Sequence, residues 1–119
     1  MSNIDFSRLL TSEDLAEQAV QAHRAAVKAV CKQRILARYP LEAQQNIVQA
    51  IAVHVLEVRV GNAAQLDSED IALALAAQEW VADMQAACRV LAADLSADPL
   101  EEGGWPDLPE GVAGLIARF

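Results

Sequence analysis

From Glu13 to Arg38 the chain runs without a glycine or a proline, and it then meets Tyr39-Pro40. A stretch of 26 residues with no breaker reads as one helix, and at 1.5 Å rise per residue it makes a rod of roughly 39 Å. The residue before a proline is pushed out of the α region, so Tyr39 is a boundary. Proline itself suits the first turn of a new helix, where its missing N–H costs nothing. The chain is therefore organised as two long helices meeting at Tyr39-Pro40, and everything after them must pack against that pair.

The helix boundaries carry their own signals. Thr11 and Ser12 can cap the first turn, and Thr11 with Asp14 has the form of a capping box, with Asp in place of the usual Glu or Gln. Glu13, Asp14 and Glu17 suit the positive end of the helix dipole. Ala16, Val20, Val27, Cys31 and Ile35 mark the apolar face. The second helix reads from Leu41, with Leu41, Ile47, Val48, Ile51, Ala52, Val55 and Leu56 covering a wide face, which makes it the most buried-looking segment. Val53 to Val60 has a strand-like composition, but the 47/48/51/55 spacing is helical. Gly61-Asn62 stops it, and Asp67-Ser68 begins a third helix. There Ala74, Ala77, Val81, Met84, Cys88, Leu91 and Leu95 alternate three and four apart, a heptad seam for a helical hairpin or a short intersubunit coil.

The predicted fold is all-α, with three main helices (about 12–38, 41–59 and 68–95) and a short C-terminal one, in a bundle or hairpin. Residues 1–11 form an N-terminal arm, 12–97 the helical domain, and 98–119 a Pro/Gly/Trp loop leading to the short helix. The 24 alanines and five aromatics predict close helix packing around a thin aliphatic core. Tyr39 is expected at the bundle end. In the tail, Asp107 followed by Glu110 looks like a helix cap with Pro109 in the first turn. Val112, Leu115, Ile116 and Phe119 are expected to hold this helix against its two glycines.

Charge is unevenly divided. Residues 1–60 carry +1 and residues 61–119 carry −9, within a net charge of −8. Between Gln18 and Leu41 there is no acidic residue, while Arg24, Lys28 and Lys32 recur every fourth residue and form one stripe. A solvated face accounts for such a stripe, and docking onto an acidic surface is the alternative. Nucleic acid is disfavoured by the overall charge and by the lack of interleaved aromatics.

Reaction chemistry is hard to find. His23 and His54 lie on different helices and do not complete a ligand pattern. There is no phosphate loop, nucleophile elbow or dinucleotide fingerprint. The acidic residues of the third helix do not converge into a dyad. Cys31 and Cys88 sit inside helical patterns and read as reduced thiols. The N-terminus has no signal-peptide form, and no apolar run approaches a membrane span. These features predict a soluble, non-enzymatic protein made in a reducing cytoplasm, with no cofactor, metal, small-molecule substrate, nucleic acid or membrane as partner.

Several stretches together resemble small proteins encoded among bacteriophage tail and tail-fibre genes. The first is Ile4-Asp5-Phe6-Ser7-Arg8-Leu9-Leu10-Thr11-Ser12-Glu13-Asp14. The second is the basic helix leading into Arg34-Ile35, Tyr39-Pro40 and Gln44-Gln45-Asn46-Ile47. The third comprises Trp80, Met84 to Arg89, Trp105-Pro106 and Leu115-Ile116-Ala117-Arg118-Phe119. The resemblance implies a virion component, at the tail tip, baseplate or fibres, or an accessory to tail assembly. Its partners would be other tail proteins or copies of itself, and it brings no catalytic residues. The chain departs from fibre proteins in showing no fibre repeat. An assembly chaperone absent from the mature virion is the alternative expectation. Another is a small acidic inhibitor of a host nucleic-acid-binding defence protein. The candidate interface residues are Phe6, Tyr39, Trp80, Met84, Trp105 and Phe119, since large side chains dominate contact energetics.

Overall fold

The computed structural model describes residues 11–60, with side chains through Leu56, and 66–119. Its elements are α1 (Ser12–Arg38), α2 (Leu41–Val60), α3 (Ser68–Ala93), a 3-10 turn (Glu102–Gly104) and α4 (Val112–Ile116). No strand occurs among the described residues, so the protein is all-α.

Local chemistry sets the helix starts. The Thr11 hydroxyl accepts from the Asp14 N–H at 3.1 Å, and the Asp14 carboxylate accepts from the Thr11 N–H at 3.1 Å. Asp67 and Asp70 repeat the same reciprocal arrangement at the head of α3. At the junction, the Tyr39 N–H closes the last turn of α1 on Ile35, and the Gln44 amide donates to the Tyr39 carbonyl at 2.8 Å. Gln44 thus satisfies a carbonyl that the proline break leaves without a helical donor.

The molecule is elongated, measuring 79 × 32 × 18 Å along its principal axes. Helices of 27 and 20 residues span about 40 and 30 Å, so α1 and α2 run on from one another instead of folding side by side. α3 lies antiparallel along them. His23 Nε2 donates to the Leu91 carbonyl at 2.7 Å, and the Cys31 thiol donates to the Met84 carbonyl at 3.6 Å. Moving up α1 therefore moves down α3. The same direction carries the first half of α3 past Tyr39 onto the start of α2, where Ala43, Ile47 and Ala50 share one core with Leu66, Ala74 and Ala77.

Both ends of the rod extend past this overlap. Residues 11–19 of α1 and its cap are exposed, while Val27, Cys31 and Ile35 are buried. Helix 1 therefore packs internally along its second half and projects along its first. At the other end, Val53, Val55 and Leu56 are exposed.

The C-terminal segment folds back along α3. Trp105 is buried and donates its indole N–H to the Pro99 carbonyl at 2.8 Å, while Trp80 donates to the Pro106 carbonyl at 3.2 Å. Val112, Leu115 and Ile116 of α4 are buried against α3, and Arg118 reaches Asp70 at 2.9 Å.

Helix α3 ends at Ala93, within two residues of the expected limit of about 95, where Asp94 turns its carboxylate onto the N–H and hydroxyl of Ser96, a local bonding pattern that competes with helix. Four expectations change. The cap of α4 is Gly111, at φ +87°, and not Asp107; this left-handed residue makes the turn that the Asp-Glu reading overlooked. The core is not purely aliphatic, since Tyr39, Trp80 and Trp105 are all buried in it. Tyr39 lies at mid-molecule beneath α3 and not at a bundle end. Finally, α2 is not the most buried helix: Leu41, Val48, Ala52, Val55 and Leu56 of its wide apolar face are exposed. The loop expected at 61–65 lies outside the described residues.

Candidate interaction surface

A broad apolar depression lies between the second half of α1, the start of α2 and the middle of α3. Cys31, Ile35, Val81 and Cys88 form its floor, Leu36 and Leu41 its far wall, and Lys28, Lys32 and Arg89 its rim; its volume is about 500 Å³. The pattern that builds it is simple. Cys31 and Ile35 are one turn apart on α1, Val81 and Cys88 are two turns apart on α3, and the small thiols leave room between the helices. Burial pushes the Cys31 thiol up from 9.0 to about 11, and the neighbouring Cys88 thiol adds to the effect. Cys31 thus stays a neutral apolar lining group at ordinary pH.

Beyond this groove, α2 presents an unpartnered row. Leu41, Val48 and Val55 recur every seventh residue and are 57, 52 and 48% exposed. Their opposite face, Ala43, Ile47 and Ala50, is the buried one. A helix that is apolar on both sides is normally covered on both. Leu41 belongs to row and groove alike, so the two form one surface.

The opposite side of the molecule is closed by the tail. Arg34 places its guanidinium 5.5 Å from the Trp105 ring centre, 3.2 Å from Glu102, and 3.1 Å from the Leu100 carbonyl. Burial also raises the Tyr39 phenol above its ordinary value.

The candidate interface side chains fall into three groups. Tyr39, Trp80, Met84 and Trp105 are 2, 3, 2 and 7% exposed and pack inside this chain, and Trp80, Met84 and Trp105 also line a small hollow beside Arg34 and Glu102. Phe119 is half-buried, with Arg118 above its ring at 5.8 Å, beside a shallow hollow formed with Asn46, Gln49, Ala50 and Val53. Phe6 lies outside the described residues. The α3 seam packs on α1 within the chain through Met84 and Cys88. Sequence reasoning missed the outward row on α2. Its signal was the strict seven-residue repeat of Leu41, Val48 and Val55, hidden inside a face that looked uniformly apolar.

Among the described residues no group of three or more His, Cys, Asp or Glu is arranged to hold a metal ion, and no helix is long and apolar enough to cross a membrane. No protein-family model, curated protein or solved structure matches the chain.

Proposed function

We propose that this chain is a non-enzymatic component of a bacteriophage tail, at its tip, baseplate or fibres, working by protein–protein contact. The observation that carries the contact role is the half-exposed Leu41, Val48 and Val55 row, continuous with the groove at Cys31 and Val81. Such a surface gains stability by being covered, at about 25 cal/mol per Å² of apolar area. The tail setting is supported by the resemblance of the N-terminal, junction and C-terminal stretches to small proteins of tail and tail-fibre genes.

Mass spectrometry of gradient-purified virions from the phage encoding this chain tests the reading. Peptides of the chain at a fixed ratio to a tail protein are expected. A chain abundant in infected cells but missing from the particles overturns the structural role. Val48→Glu with Val55→Glu is expected to abolish incorporation while leaving the helical signal intact, because both positions face solvent.

A further inference from the structure

The first and second halves of α1 are complementary to each other. Glu13, Glu17, Gln21, Arg24, Lys28 and Lys32 follow at intervals of four, four, three, four and four residues, which keeps them on one stripe of the helix. The order along that stripe is acid, acid, neutral, base, base, base. All six are exposed, and none of the charged ones forms an ion pair among the described residues. When two such helices lie antiparallel with their dyad between Ala22 and His23, Glu13 falls opposite Lys32 and Glu17 opposite Lys28. Each pair occurs twice.

We propose that α1 pairs with α1 of a second copy in this antiparallel register, so that the projecting acidic half of each copy lies over the basic rim of the other's groove. Three features converge on a second copy as the occupant. The charges match when the helices run antiparallel, and the register centred between Ala22 and His23 is the one that sets both Glu13 and Glu17 against the two lysines of the groove rim; they clash when the helices run parallel in register, since Glu13 and Glu17 then face their own equivalents. The acidic half of α1 is exposed on all sides and extends beyond the end of α3, so it is free to reach a partner. The rim residues Lys28 and Lys32 stand beside an apolar floor of Cys31, Ile35, Val81 and Cys88, which the second copy's helix would cover.

The pairing is independent of the tail assignment, and it turns a general capacity for contact into a stated partner and register.

The test is sedimentation equilibrium of the full chain at 50 and 500 mM salt. A dimer is expected, weakened at least tenfold by the added salt, because the rim pairs are exposed and screened. Glu13→Lys with Glu17→Lys, and separately Lys28→Glu with Lys32→Glu, should each weaken self-association by roughly 30-fold or more, since every attractive pair becomes repulsive. Mixed in equal amounts, the two variants should form a 1:1 dimer as tight as the unaltered one, because each supplies the charge the other lacks. That rescue also excludes misfolding as the cause of the losses. A strict monomer at millimolar concentration, self-association untouched by both reversals, or a mixture that stays monomeric would each overturn the proposal. The virion measurement reads the tail assignment separately.

Discussion

Replacing Arg34 should show what holds the C-terminal segment in place. The side chain makes three kinds of contact. It donates to the Leu100 carbonyl at 3.1 Å, and more weakly to the Pro99 carbonyl at 3.5 Å. It lies over the Trp105 ring at 5.5 Å. It also pairs with Glu102 at 3.2 Å, with the two side chains 22 and 90% exposed. A half-buried charged donor to a carbonyl contributes about 1.5 kcal/mol, and the cation–π contact about 0.5–1 kcal/mol. The ion pair adds at most about 0.5 kcal/mol, because Glu102 stands in water and must be ordered to reach the arginine. Arg34→Ala should therefore cost about 2–3 kcal/mol in urea unfolding and shift the Trp105 emission to the red. Glu102→Ala should cost less than about 0.5 kcal/mol. Arg34→Lys keeps the charge but loses the planar fork and the stacking, and should retain less than half of the contribution. If Glu102→Ala cost as much as Arg34→Ala, or if the lysine variant matched the unaltered protein, the ion pair or bare charge would be the main attachment and the ranking would fail.

Other consequences are equally open to measurement. The folded state holds the Cys31 proton up to about pH 11, against 9.0 for a free thiol. The unfolded chain therefore loses that proton first, and stability present below pH 9 should fall by up to about 1.4 kcal/mol per pH unit as pH rises towards 11; urea midpoints across that range should fall less steeply in Cys31→Ala. Gly111→Ala should destabilise by about 1–2 kcal/mol, since φ is +87° and an added Cβ meets Leu73 at 3.1 Å. Gly114→Ala, in a helix and facing open space, should stabilise by about 0.5–1 kcal/mol; thermal melts of the two variants should move in opposite directions. Asp67→Ala should cost about 1 kcal/mol at the head of a packed helix. Thr11 caps only the projecting end, so in Thr11→Ala hydrogen exchange should speed up over residues 12–20 while the urea midpoint at low protein concentration stays put.

The helical limits were legible wherever a local signal decided them. Thr11 with Asp14, Pro40, and Asp67 before Ser68 each act within four residues of the boundary they set. At the end of α3, Leu95 stays in phase with the seam while the side chain of Asp94 stops the helix two residues earlier. The α4 cap was missed because a left-handed glycine leaves no mark distinguishing it from any other glycine. The site was harder to read than the fold. Arg34 meets Glu102, and His23 meets Leu91, across 68 residues each; no periodicity encodes those meetings. The apolar breadth of α2 was visible, but which side faced inward depended on where α3 came to rest. Aromatic size drew attention to Trp80 and Trp105, and tertiary packing then consumed both inside the chain.

The end-to-end course of α1 and α2, with α3 spanning the break at Tyr39-Pro40, joins them as a lap joint joins two beams. Only the overlapped middle contains the core, so the length of either free arm can change without repacking it. Seven residues added between Thr11 and Val20 would lengthen the molecule by about 10 Å and leave Val27, Cys31 and Ile35 where they are. Span and stability are thereby separate quantities in this chain, the first set by counting helical turns and the second by the overlapped middle.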